Sequence, residues 1–278
     1  MVYIYTHSIS YYIGNGRINN IYSAIDHLHN YKLSINQTDT DKVLLIICCI
    51  YDEINDNIKY EFDNFKNKKT DKVDIEVLFR WNSGGTVQTM SKTLDYLLDK
   101  NISTKYIGVW EDDSIFKHDL ILDHVQNGLN RDNIIIGCHV PESRPDILHM
   151  NGIKIFKKEY LNNRPKDQQC PWCKNKHIYL NEKINENPNK LIDDSLIKWI
   201  DGAVYITTVE NLIKIKQKLQ KFTLAPEDHK YTHIEHGINY GEVGFPTRLN
   251  INGFNFYGLL YDNFYKHLST NSVGNKSI

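Results

Sequence analysis

The sequence predicts an α/β fold in which a mostly parallel β-sheet is flanked by helices, as a single domain with a polar insertion. Apolar runs of strand length alternate with segments of helical periodicity, which is the pattern of parallel strands joined by crossover helices. One apolar run ends in Glu111, Asp112 and Asp113, here called the acidic triplet, and the run before it leads to the paired glycines Gly84 and Gly85. Because ligands bind outside the carboxyl ends of strands in open α/β sheets, we expect the glycine turn and the acidic triplet to line one crevice.

The first elements along the chain are two strands with an amphipathic helix between them. Residues 2–5 predict a strand, and residues 43–50 predict a buried strand that ends at Asp52. Residues 18–28 predict a helix because apolar side chains recur on one face, at Ile21, Ala24, Ile25 and Leu28. Residues 55–72 are polar and charged, which indicates a surface helix or loop with three apolar anchors, Tyr60, Phe62 and Phe65.

The central segment contains the glycine turn and the acidic triplet. Residues 73–79 predict a strand, and apolar side chains recur at helical spacing after the turn, at Val87, Met90, Leu94 and Leu97. Either Ser83 or Thr86 is available as the helix N-cap. Neighbouring carboxylates raise one another's pKa values, so the triplet at the end of the next strand predicts a divalent metal as counter-cation. The alternative is a solvated turn after an edge strand.

The second half of the chain is less regular. Strands are predicted for residues 134–140 and 153–156, a further apolar run for 196–206 and a helix for 209–219. Residues 162–190 form the polar insertion, and residues 269–278 predict a disordered tail.

The central pattern resembles the donor-binding half of GT-A glycosyltransferases, particularly family-2-like enzymes. The resemblance is carried by Asn82-x-Gly84, the helix after it, the run Lys105-Tyr106-Ile107-Gly108 and then the acidic triplet. Enzymes of this family use such a DXD-type motif to hold Mn²⁺ or Mg²⁺ against the diphosphate of a nucleotide sugar. The resemblance therefore implies a Rossmann-like GT-A domain over residues 1–268, with a nucleotide-sugar-binding half at 1–116 and an acceptor-binding half at 117–268.

The resemblance also implies roles for individual donor-site residues. Asp113 and Glu111 would hold the metal, Glu111 would also contact the donor ribose or a metal-bound water, and Asp112 would support them. The family grips the nucleotide base, the ribose and the phosphates with strand tips and the glycine turn, which here correspond to Thr6, His7, Asp52, Asn82 and Gly85. Where the family often has an arginine that contacts the phosphates, this sequence has Gln88 or Thr89.

A second part of the resemblance lies downstream. The segment from Glu242 to Arg248 follows the family's rhythm of an acid, a hydrophobic residue, an arginine and a glycine, although Gly241 stands where a second acid is usual. The family's catalytic base would fall on Glu242, with Asp201 as the next candidate, in an inverting reaction. Alternatively, Glu242 is a loop carboxylate that pairs with Arg248 or a lysine.

The cysteines permit a separate metal site. Cys170, Cys173 and His177 have the spacing of three ligands of a structural Zn²⁺, and the alternative is a reduced cysteine pair in a surface loop. The five cysteines are an odd number in a chain without a visible export signal, which favours a reducing compartment. We therefore expect a cytoplasmic protein. Abundant Asn, Ile, Lys and Tyr are typical of an AT-rich genome, such as that of a giant virus, a protist or an AT-rich bacterium.

Charge and hydropathy exclude some classes of partner. The formal net charge of −1 lacks the basic excess that nucleic-acid binding requires, and the most apolar run, at residues 43–51, is too short for a membrane span. The expected partners are a nucleotide-sugar donor, UDP-linked for preference, and a carbohydrate or glycoprotein acceptor. Two other functions stay open from the sequence, namely a nucleotidyltransferase on a similar fold and a non-catalytic carbohydrate- or zinc-dependent binding module.

Overall fold

The main feature of the structure is a mixed sheet of seven strands, seen in a computed structural model. The structure describes residues 2–51, 53–81, 85–116, 119–129, 133–139, 147–150, 153–157, 196–199, 201–219, 245, 249, 252–260 and 265–267. The seven strands are β1 (Val2–Tyr12), β2 (Val43–Tyr51), β3 (Val73–Trp81), β4 (Ser103–Glu111), β6 (Asn133–His139), β10 (Asp201–Thr208) and β11 (Asn255–Leu260).

Two smaller sheets, five α-helices and two short 3₁₀ segments, Ile13–Asn15 and Asn64–Lys68, are the other described elements. One small sheet pairs β5 (Ser114–Phe116) with β12 (Tyr265–His267), and the other consists of β7 (Ile147–Met150), β8 (Ile153–Lys157) and β9 (Leu196–Trp199). The helices are α1 (Ile18–Asn30), α2 (Asp56–Asp63), α3 (Gly85–Asp99), α4 (Ile121–Leu129) and α5 (Val209–Leu219). Within the described ranges, none of these helices is long and apolar enough to cross a membrane.

The strand order is β3-β2-β1-β4-β10-β6-β11. Strands β1 to β4 are parallel to one another. Strand β10 runs antiparallel to both β4 and β6, and β11 is parallel to β6. The predicted class, an α/β fold with a mostly parallel sheet flanked by helices, is confirmed.

Strand β1 is longer than predicted, because its polar residues are inside the protein. The expected end at residue 5 is wrong, since β1 continues to Tyr12 between β2 and β4. Its two faces differ in chemistry. Tyr5 and Ile9 join the apolar core that includes α1, while the Ser8 hydroxyl shares a 2.7 Å hydrogen bond with the hydroxyl of Thr93 in α3. Serines that resemble a strand end in the sequence therefore face a helix that carries matching hydroxyl groups.

Three predicted helical segments are confirmed by their buried faces. The stripe on α1 is buried as expected, and so is the stripe on α3 that contains Val87 and Leu94. Residues 209–219 form α5 with the predicted bounds. The segment 55–72 contains α2 and a 3₁₀ turn, Asn64–Lys68, with Phe62 and Phe65 buried. Tyr60 is not an anchor as predicted, because it is 72% exposed.

Some described elements were not predicted from the sequence. Helix α4 follows the acidic triplet, and β5 begins directly after Asp113. Strands β11 and β12 also have no counterpart in the expectations. The polar insertion at 162–190 and the predicted tail at 269–278 lie outside the residues that the structure describes.

Candidate functional site

The first strand-to-helix turn lies at the carboxyl edge of the sheet. After β1 ends at Tyr12, a 3₁₀ turn leads to Gly16, whose φ of 64° is left-handed and favours glycine. Arg17 occupies the N-cap position of α1 but makes no capping hydrogen bond with its side chain. The guanidinium reaches the end of β4 instead.

The Arg17 guanidinium meets two members of the acidic triplet. Its Nη1 donates to Asp113 Oδ2 at 2.7 Å and to Asp112 Oδ1 at 3.3 Å, so both carboxylates are directed at one cationic nitrogen. The two carboxylate side chains are only 7% and 8% exposed, whereas that of Arg17 is 26% exposed. The ion pairs offset the repulsion that two nearly buried carboxylates would otherwise exert on each other.

Glu111, the third acid, has a different partner. The hydroxyl of Thr86 donates to Glu111 Oε1 at 3.3 Å. Thr86 lies in the first turn of α3, where the helix dipole favours a negative charge. The triplet is therefore divided, with Asp112 and Asp113 held at the start of α1 and Glu111 held at the start of α3.

Tyr11 adds a neutral hydroxyl beside the paired aspartates. Burial raises the pKa of Tyr11 to about 12, and the nearby charge of Asp112 acts in the same direction. The backbone amide of Arg17 hydrogen-bonds to Tyr11 and partly opposes this shift in pKa. Tyr11 consequently stays protonated near neutral pH.

The paired aspartates fit a divalent cation in their chemistry. Mg²⁺ and Mn²⁺ prefer carboxylate oxygens and are commonly bound by one or two carboxylates, with waters and substrate phosphates completing the shell. Asp112 and Asp113 already converge on one positive group. Among the described residues, no group of three His, Cys, Asp or Glu side chains is placed to hold a metal. An ion bound to the two aspartates would therefore need further ligands, such as waters or substrate phosphates.

Asp201 begins β10 at the same edge of the sheet. Because β10 is antiparallel to β4, with Val204 opposite Trp110, the start of β10 lies at the end where β4 finishes. Asp201 itself pairs with Cys138 near the end of β6. The reversed strand thus brings one predicted catalytic residue toward the acidic triplet in the backbone arrangement.

Thr6 and His7 do not lie at a strand tip. Both are in the middle of β1 and are buried, so their expected placement at the sheet edge is wrong. Burial, followed by the nearby His27, lowers the pKa of His7 to about 3. A neutral histidine inside the core does not support direct contact with a nucleotide.

The other predicted site residues differ in how far the structure describes them. Gly85 is the first residue of α3, next to Thr86. The remaining predicted residues, Asp52, Asn82, Cys170, Cys173, His177 and Glu242, lie outside the described residues.

Sequence reasoning missed Arg17, Tyr11 and the turn before α1. A local signal was present, because Gly14 and Gly16 stand between an apolar run and the helical stripe of α1. Glycines between a strand and a helix mark a place where a ligand approaches the backbone closely. Because the predicted first strand ends at residue 5, the turn after Tyr12 does not follow it directly, and the prediction places no site there.

Comparison with known proteins gives structural neighbours of low identity. No protein-family profile and no curated protein sequence matches the chain. Among solved structures, S. aureus TarS is similar at 12% identity and a TM-score of 0.44, with 96% of this chain and 37% of that chain covered. S. aureus TarS 1-349 in complex with UDP-GlcNAc has 13% identity, coverage of 96% and 61%, and a TM-score of 0.40.

A third neighbour carries a different name. A putative glucose-1-phosphate thymidylyltransferase from Bacillus anthracis, in complex with a sucrose, has 12% identity and a TM-score of 0.40. The match covers 96% of this chain and 89% of that protein. By contrast, the chain spans less than two thirds of either TarS structure.

Proposed function

We propose that this chain is a glycosyltransferase that moves a sugar from a nucleotide diphosphate, UDP for preference, to a hydroxyl group of a carbohydrate or glycoprotein. The observation that carries the proposal is the convergence of Asp112 and Asp113 on one cationic nitrogen at the carboxyl end of β4. This position is where open α/β sheets bind ligands. It is also the position that the resemblance to GT-A enzymes assigns to the metal-binding motif.

In place of the expected pair Asp113 and Glu111, Asp112 and Asp113 are the residues that would hold Mn²⁺ or Mg²⁺, because these two converge on one point while Glu111 is bound by Thr86. Such an ion offsets the negative charge that develops on a departing diphosphate. The chain's own groups would assist at the same place, because the N-termini of α1 and α3 both lie beside the triplet. Their amide groups and dipoles favour an anion.

The acceptor hydroxyl requires a base in an inverting reaction, because a neutral alcohol is a poor nucleophile. Asp201 and Glu242 are the proposed candidates. The start of β10 at the triplet's edge supports Asp201, and the downstream sequence motif supports Glu242. A positioned base contributes about 10²–10⁴-fold in rate.

A thermal-shift screen tests the donor site. UDP-, GDP-, ADP- and dTDP-sugars are compared with and without Mn²⁺ on wild type, Asp113→Asn and Asp99→Asn. A ligand at about 100 times its Kd stabilises the fold by roughly 2.7 kcal/mol. We expect a Mn²⁺-dependent rise in Tm with one nucleotide class in wild type and in Asp99→Asn, whose carboxylate is exposed at the far end of α3, but not in Asp113→Asn.

The products separate transfer from the nucleotidyltransferase alternative. A glycosyltransferase releases a nucleoside diphosphate, or hydrolyses the donor slowly to give one, whereas a nucleotidyltransferase releases pyrophosphate from a nucleoside triphosphate. A rise in Tm with nucleotide sugars that is the same with and without Mn²⁺, and the same in wild type and Asp113→Asn, would contradict the metal-dependent site. Pyrophosphate release would contradict the proposed reaction.

Turnover assays on Asp201→Asn and Glu242→Gln test the base. We expect one of the two variants to lose about 10²-fold or more in kcat while its affinity for the nucleotide sugar stays near that of wild type. A pH–rate profile that loses its acidic limb in the same variant would identify the base. Full activity in both variants would instead indicate another base or a retaining reaction.

A further inference from the structure

We propose that Arg17 is a counter-cation of Asp112 and Asp113 while no metal is bound, and that guanidinium and metal ion compete for the same two carboxylates. The inference rests on the proposed function, because it concerns the metal of that site. It adds a residue that neither the acidic motif nor the resemblance includes.

At the two carboxylate oxygens that face Arg17, the geometry leaves the place of one cation. A single nitrogen, Arg17 Nη1, lies 3.3 Å from Asp112 Oδ1 and 2.7 Å from Asp113 Oδ2. A divalent ion that binds these two oxygens needs the place which that nitrogen occupies, since metal–oxygen distances for such ions are only about 2.0–2.6 Å. Two positive groups so close together would also repel each other. An ion that binds these two oxygens therefore requires the guanidinium to leave.

The burial of the three groups determines which of them moves. The aspartates follow a central strand and are nearly buried, whereas Arg17 is partly exposed and follows a glycine turn. A side-chain atom added at Gly16 would meet nothing within 4 Å, so there is space beside the turn. The arginine has room to swing toward solvent while the carboxylates stay in position.

The start of α1 is an unfavourable place for an arginine without anionic partners. A cation near a helix N-terminus opposes the helix dipole, and Arg17 makes no capping bond there. The ion pairs with Asp112 and Asp113 compensate for this position. Once a metal takes the two aspartates, the guanidinium stands at a helix N-terminus, where an anion such as a diphosphate is the favoured partner.

Metal titration of Arg17→Gln tests the competition. Mn²⁺ affinity is measured by calorimetry on the full chain without nucleotide, for wild type, Arg17→Gln and Lys59→Gln. We expect Arg17→Gln to bind Mn²⁺ about tenfold more tightly than wild type, a change equal to about 1.4 kcal/mol. Lys59 is an exposed lysine of α2 that pairs with Asp56, so its variant should match wild type.

Thermal stability gives a readout that a purely structural role would not produce. Without metal, Arg17→Gln should have a lower Tm than wild type, because two nearly buried carboxylates each lose an ion pair. Saturating Mn²⁺ should restore the Tm of the variant to that of Mn²⁺-loaded wild type. The gain should disappear when Asp113→Asn is added. A deficit in Tm that stays the same at every Mn²⁺ concentration would show that Arg17 only supports the fold.

The remaining outcomes separate this inference from the proposed function. Equal Mn²⁺ affinity in wild type and Arg17→Gln overturns the inference but leaves the transferase intact if nucleotide sugars still bind. Absence of Mn²⁺ binding in both proteins, with loss of nucleotide affinity in Arg17→Gln, also overturns it and indicates that Arg17 itself contacts the diphosphate. Failure of every nucleotide sugar to bind wild type overturns the proposed function.

Discussion

In the centre of the sheet, the buried side chains of Tyr5, His7 and Trp110 contact one another in the space that Gly108 leaves. The indole of Trp110 donates to the Tyr5 hydroxyl at 2.8 Å, that hydroxyl lies 3.3 Å from His7 Nδ1, and the rings of His7 and Trp110 stack at 5.3 Å. Gly108 makes room for them, because a Cβ at this position would overlap the Tyr5 hydroxyl and lie 2.9 Å from the Trp110 indole nitrogen. The glycine in the strand before the acidic triplet therefore has a packing role.

The buried histidine makes stability depend on pH. The pKa of His7 is about 3 in the folded protein and about 6.5 in the unfolded chain, so the unfolded chain binds more protons between these values. Stability contributed by neutral His7 is present above pH 6.5 and is lost as the pH falls toward 3. Between pH 7 and pH 5 the free energy of unfolding should fall by about 2 kcal/mol from this group.

Urea unfolding at pH 7 and pH 5 checks this expectation. His7→Phe preserves a ring that stacks on Trp110 but does not titrate, so its free energy of unfolding should change about 2 kcal/mol less than that of wild type over this range. The loss of the contact with Tyr5 should lower the stability of the variant equally at both pH values. An identical pH dependence in the two proteins would mean that other groups cause it.

Helix α3 has an apolar stripe and also two buried threonines, Thr89 and Thr93, whose hydroxyl groups bond to different neighbours. Arg80 of β3 is buried and donates from Nε and Nη2 to Thr89 at 3.2 and 3.0 Å, and Thr89 in turn donates to Ser10 of β1 at 3.0 Å. Thr93, one turn later, shares a single 2.7 Å hydrogen bond with Ser8. The same residue type thus holds a charged group at one position and a neutral one at the next.

Two identical substitutions on α3 should differ in their effect. Thr89→Val removes one acceptor of a buried guanidinium that also donates to the Trp81 carbonyl oxygen, and we expect a loss of about 1.5–3 kcal/mol in the free energy of unfolding. Thr93→Val, the matched control, removes one hydrogen bond between hydroxyls and should lose only about 0.5–1.5 kcal/mol. Equilibrium denaturation of both variants measures the difference, and equal losses would contradict a special role for the Arg80 contact.

The elements that were predictable from sequence share a clear periodic signal. Helices α1 and α3 were predictable because each buries one apolar stripe, and β2 because it is apolar on both faces. The end of β1 was not predictable from the sequence. Ser8 and Ser10 are buried and bond to threonines of α3, which lies far along the chain. The acidic triplet was recognisable as a local motif, whereas Arg17 joins it only through tertiary contact.

At the scale of the whole molecule, the candidate site is assembled from distant parts of the chain. The turn after β1, the first turn of α3, the end of β4 and the start of β10 meet at one edge of the sheet. The parallel order of β1 to β4 follows from alternating strands and helices in the sequence. The reversal of β10 has no local signature, because strand direction depends on the path of the segments on either side of it.

The position of β10 between β4 and β6 also has a consequence during synthesis. Strands β1 to β4 are complete once residue 111 has left the ribosome, but the partner on the other side of β4 begins only at Asp201. At about 5–20 residues per second, the ribosome needs on the order of 5–20 seconds to supply it. Throughout that interval the nascent chain has an apolar strand with one unpaired edge, the feature that most invites association between chains.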